Sequence, residues 1–122
     1  MSINKMVKAY QKVYEIETNL RDKVDKKMIN HYGDNWYSAA PKREKKLRIK
    51  KNIKNMQLYE LEQLLHYKIF GNLHKNYPRF IQLLRAVYPL RNKIAHCQVL
   101  TNKEHIFLKQ THLALMQVIE KI

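Results

Sequence analysis

The chain has 122 residues, 45% of them hydrophobic, and 24 lysines and arginines against 10 aspartates and glutamates give it a formal net charge of +14. That length allows a single domain over 1–122 with one hydrophobic core and excludes two. Two glycines exclude a glycine-rich phosphate loop, and the lone Cys97 excludes an internal disulfide.

Residues 3 to 31 read as one long helix, because Ile3, Met6, Val7, Tyr10, Val13, Tyr14, Leu20, Val24 and Met28 recur at three- and four-residue steps. Gly33 is a fitting stop, since glycine accepts the left-handed conformation that ends many helices. The turn-rich "YGDNWYSAAP" follows, and its Trp36 and Tyr37 are expected to pack over the end of that helix. Residues 41 to 54, "PKREKKLRIKKNIK", then carry eight basic residues and one acid, Glu44. They read as a loop or short helix between larger elements. On a chain of this charge Lys42, Arg43, Lys45, Lys46, Arg48, Lys50, Lys51 and Lys54 are candidates for gripping phosphates.

A second helix is expected from about 56 to 70, with Leu58, Leu61, Leu64, Leu65 and Ile69 as its stripe. A third starts near Pro78, which suits a first helical turn, and runs through Phe80, Leu83, Leu84, Val87 and Tyr88. Pro89 either kinks it or opens a new helix, because proline has no amide proton to continue the ladder. Thr101 and Glu104 have capping-box spacing, and Ile106, Phe107, Leu113, Ala114, Met116 and Ile119 carry the last helix. The fold class that follows is all-α, a four- to five-helix up-down bundle. No run approaches the roughly 18 apolar residues of a membrane span, and "MSINKMVKAY" lacks the apolar centre of a signal peptide. The expected location is therefore the cytoplasm, with no membrane partner.

The six histidines, at 31, 66, 74, 96, 105 and 112, show no zinc-binding spacing, and carboxylates are scarce, so neither a metal nor another cofactor is expected. What remains is acid–base chemistry on His96, within "YPLRNKIAHCQV". RNA suits it, because each scissile phosphate lies beside its own nucleophile, the 2′-OH. A histidine moves protons near neutrality, and an arginine can hold the phosphate as charge builds. On an ideal helix Arg91 and His96 lie about 140° apart, whereas Asn92 and His96 share a face. A single histidine also falls short of the base and the acid that cleavage uses, which points to two copies of the chain.

"LRNKIAH" resembles the motif of HEPN domains, in which an arginine, often followed by a polar residue, precedes a histidine by four to six positions. Arg91, Asn92 and His96 match those positions. Upstream, Tyr14 to Tyr37 is similar to the helix followed by "YGxxWW" that opens some HEPN proteins, and abortive-infection proteins share an "RNxxAH" pattern. The resemblance implies an HEPN-like helical bundle and a metal-independent endoribonuclease leaving 2′,3′-cyclic phosphate and 5′-OH ends. It implies a homodimer with a composite active site, a role as a toxin or anti-phage defence effector, and a possible cognate antitoxin or defence partner. One branch carries a tyrosine two positions after the histidine; Gln98 stands there in this chain. Since some HEPN domains are catalytically dead, the alternative is a non-catalytic RNA-binding, dimerisation or adaptor module.

Overall fold

A computed structural model of the protein describes residues 3–43, 52–71 and 73–122, and these form an all-α bundle with no strand among them. In chain order the helices are α1 (Ile3–Tyr32), α2 (Trp36–Arg43), α3 (Leu58–Leu64), α4 (Leu73–Asn76), α5 (Pro78–Ala95) and α6 (Asn102–Ile119). Two 3-10 turns, Ile53–Asn55 and Lys68–Phe70, flank α3. Three long helices, α1, α5 and α6, carry the architecture.

Polar ties show how the long helices run. Lys5 donates to Asn102, His112 meets Glu15 and Lys23 reaches the carbonyl of Glu120, and each pair is separated by 97 residues. A constant offset means that α1 and α6 lie parallel and in register. Lys93, in the last turn of α5, bonds Glu104 in the first turn of α6 at 2.8 Å, which closes α5 and α6 into an antiparallel hairpin. The end of α5 therefore sits beside the N-terminal half of α1.

Helix ends follow local chemistry. Gly33 stops α1 at a φ of 93°, and its amide donates to the carbonyl of Ile29 at 2.8 Å. Trp36, one turn on, is fully buried; its indole donates to Asp25 at 3.0 Å and its ring stacks on Tyr37 at 4.0 Å. Thr101 and Glu104 form the expected capping box at the start of α6. Pro78 occupies the first turn of α5, and α5 continues through Pro89 to Ala95.

Two expectations change. The helix foreseen over 56–70 is α3 alone, followed by a turn and the 3-10 segment Lys68–Phe70. The core stripes are also shifted. In α1 the buried residues are Ala9, Val13, Ile16, Leu20, Val24 and Met28, while Ile3, Val7, Tyr10 and Tyr14 face solvent. In α6 Leu108, Thr111, Leu115 and Ile119 are buried, and Ile106 and Leu113 are exposed. The front half of α1 carries two apolar stripes about 110° apart on an ideal helix, and neighbouring helices cover only one of them. Periodicity finds a stripe but does not say which stripe has a partner. No helix is long and apolar enough to cross a membrane among the described residues.

The end of α5 follows a pattern that the sequence reading missed. His96 caps the helix, the amide of Cys97 bonds the carbonyl of Ile94 at 3.0 Å, and that of Gln98 bonds the carbonyl of Lys93 at 2.8 Å. This pair of bonds is a Schellman motif, with Cys97 at φ 58° in the position that glycine usually holds. A left-handed conformation costs a residue with a Cβ roughly 1–2 kcal/mol, part of which glycine returns by gaining freedom in the unfolded chain. Cys97→Gly should therefore raise stability by about 0.5–1 kcal/mol, read as a higher urea midpoint. A lower midpoint would contradict the strained cap.

Candidate active site

Arg91 and Asn92 lie in the last turns of α5, and His96 caps it, so one helix end presents all three motif residues. Asn92 and His96 are tied through the backbone, the amide of His96 donating to the carbonyl of Asn92 at 3.1 Å. Both side chains are exposed. Arg91 is half-buried, and its Nε stands 3.5 Å from Oε1 of Glu17 on α1. Arg91 and Asn92 share a cleft of about 160 Å³ with Tyr88 from α5 and with Gln57, Leu58 and Tyr59 from the start of α3. His96 does not line that cleft.

Beneath the cleft lies a network of ions. Glu17 links Arg91 to Arg21, whose guanidinium donates to the carbonyls of Ile53 at 3.1 Å and Met56 at 2.8 Å. Arg21 so clamps the segment preceding α3 onto α1. Glu62, on α3 and 4% exposed, accepts from Arg85 and meets His66 Nε2 at 2.7 Å. Burial pushes its carboxyl upward, but Arg85 and His66 together hold it below the usual glutamate value. Tyr88 is the converse: burial and then the Glu62 charge push its phenol well above the ordinary tyrosine range, against a smaller opposing effect of Arg85. Tyr88 Oη and Glu17 Oε1 are both buried without a hydrogen bond of normal geometry. Glu17 pairs with Arg91, and Tyr88 lines the same cleft as Arg91.

Of the basic segment, Lys42 and Arg43 close α2, while Lys45, Lys46, Arg48, Lys50 and Lys51 lie outside the described residues. Lys54 is exposed on the 3-10 turn and lines a cleft that also holds Asp22, Asp25 and Asp34, so its surroundings are of mixed charge. Sequence reasoning missed Glu17, Arg21, Glu62 and His66. The Glu62–His66 spacing of four was legible as a helical pair, but nothing local announces Glu17 with Arg91, 74 residues apart. Among the described residues no three histidine, cysteine, aspartate or glutamate side chains gather as a metal site. Comparison with protein-family models, curated proteins and solved structures finds no match to the chain.

Glu62→Gln should cost about 1–2 kcal/mol at pH 7, discounted for the solvent around Arg85. The charge is stabilising in its ionised form, so this cost is full above the ordinary glutamate value of 4.5 and fades as pH falls through the lower folded value. Thermal melts of both proteins between pH 3 and 7 test this. A gap that widens on acidification would contradict it.

Proposed function

We propose that the chain is a metal-independent endoribonuclease of the HEPN type, a cytoplasmic toxin or defence effector that works as a homodimer. The observation that carries this reading is the shared end of α5, where Arg91 and Asn92 line a cleft and His96 is exposed one turn on. An RNA phosphate entering the cleft competes with Glu17 for Arg91. Asn92 donates to a phosphate oxygen, and His96 moves a proton. The 2′-oxygen attacks phosphorus as a base takes its proton, the P–O5′ bond breaks, and an acid returns a proton to O5′. Each chain offers one such histidine, so a second chain supplies the other. The uncovered stripe Ile3, Val7, Tyr10 and Tyr14, at alternating four- and three-residue steps, supports such pairing. A cognate antitoxin or defence partner would act by blocking this end of the bundle.

One observation favours a second reading, a non-catalytic RNA-binding or adaptor module: Arg91 is already engaged by Glu17, and His96 stands outside its cleft. Incubation of single-stranded RNA with excess EDTA separates the two. Under the first reading wild type cuts and leaves 2′,3′-cyclic phosphate ends. His96→Ala and Arg91→Ala then each lose roughly 100-fold or more in rate. Cutting undiminished in His96→Ala removes the histidine from the chemistry. Binding without cutting by wild type selects the second reading.

A further inference from the structure

Away from Arg91, Lys8, Lys12 and Lys109 line a groove between the N-terminal halves of α1 and α6. We infer that this groove binds the backbone of single-stranded RNA; the choice of RNA over DNA rests on the ribonuclease reading. Lys5, Lys8 and Lys12 form one wall, three- and four-residue steps on a single face of α1, and His105 and Lys109 form the other. The floor is apolar, built from Ala9, Ile106 and Leu108, and the groove encloses about 410 Å³. Among the described residues no carboxylate lines it. The two acids nearest in sequence are engaged elsewhere, Glu15 by His112 at 2.7 Å and Glu104 by Lys93 at 2.8 Å.

Each part of this arrangement suits a single strand. The lysine walls neutralise phosphates, and the apolar floor receives unpaired bases, which a duplex keeps stacked inside. Because α1 and α6 run parallel, both helices also begin at this end and add their positive N-terminal dipoles to the field of the lysines. The groove is continuous with a second cleft that shares Lys5, Asn102 and His105 with it and extends to Val99 and Thr101. That loop begins immediately after α5, at His96. A strand held in the groove is thus led toward the end of α5.

The test is fluorescence anisotropy with a labelled single-stranded RNA over a salt series. It compares wild type, the groove variant Lys8→Glu/Lys12→Glu/Lys109→Glu, and a charge-matched control, Lys27→Glu/Lys75→Glu/Arg79→Glu, whose residues are exposed outside the groove. Circular dichroism establishes that both variants keep their helices. The groove variant should bind at least roughly ten-fold more weakly near 0.1 M salt, with a log–log salt slope shallower by about 2, and the control should lose far less. Equal losses in both variants would mean that net charge alone drives binding and would overturn the proposal. So would duplex binding as tight as single-strand binding, or no RNA binding by wild type. Wild type that binds through the groove yet never cuts would leave the groove standing and remove the ribonuclease reading. Conversely, cutting by a groove variant that binds as wild type does would remove the groove alone.

Discussion

The parallel packing of α6 along α1 is the constraint on which the other features depend. Once the 97-residue register is set, the hairpin of α5 and α6 must return along α1, and the end of α5 is delivered beside the front half of α1. Ile16, Leu20, Val24, Leu108, Leu115 and Ile119 fill the seam, each burying its side chain almost completely. At about 1.5–3 kcal/mol for a fully buried large aliphatic side chain, this seam outweighs the surface ion pairs beside it. Those pairs fix register; the apolar seam supplies the driving force. The same packing leaves the first turns of both helices side by side, and that is why a lysine-walled groove exists at all.

Seven of the acids have a partner within the fold. Glu15, Glu17, Asp22, Asp25, Glu60, Glu62 and Glu104 each have a named partner: a histidine, an arginine, a lysine, the Trp36 indole or a helix cap. Part of the +14 excess lies along the α1–α6 groove, where no carboxylate is among the described lining residues. Lys54, by contrast, shares its cleft with three aspartates. A count of basic residues along the chain points to the stretch 42–54, whereas Lys8, Lys12 and Lys109, spread over two distant segments, come together only in the fold.

What could be read in advance was local. The long first helix, its stop at Gly33, the buried Trp36, the start of α5 at Pro78 and the capping box at Thr101 all depend on residues near one another in the chain. What escaped depends on partners far away in the chain. Val7 and Tyr10 have the same periodicity as Val13 and Leu20, and only the placement of α5 and α6 decides which stripe is covered. Cys97 escaped for a different reason: a Schellman motif is usually announced by glycine, and here the backbone bonds form without one. At the candidate site the sequence brings Arg91, Asn92 and His96 to one helix end. It gives no hint that Glu17 occupies the guanidinium or that Arg21 anchors the segment leading to Tyr59.

The occupied state of Arg91 changes how that site is understood. An arginine facing open solvent binds any phosphate that arrives, weakly and without selection. Under the proposed reading a phosphate displaces a carboxylate whose Oε1 is buried and lacks a good hydrogen bond, 3.5 Å from Nε. Glu17 keeps a hold on Arg21 through its other oxygen at 3.4 Å, so releasing Arg91 does not leave the carboxylate unpaired. The exchange therefore costs less than breaking an isolated buried pair, whose remaining partner would be stranded without compensation. Arg21 in turn holds the carbonyls of Ile53 and Met56, which position Gln57, Leu58 and Tyr59 over the cleft. One carboxylate thus joins the arginine of the cleft to the arginine that holds the segment forming its opposite wall.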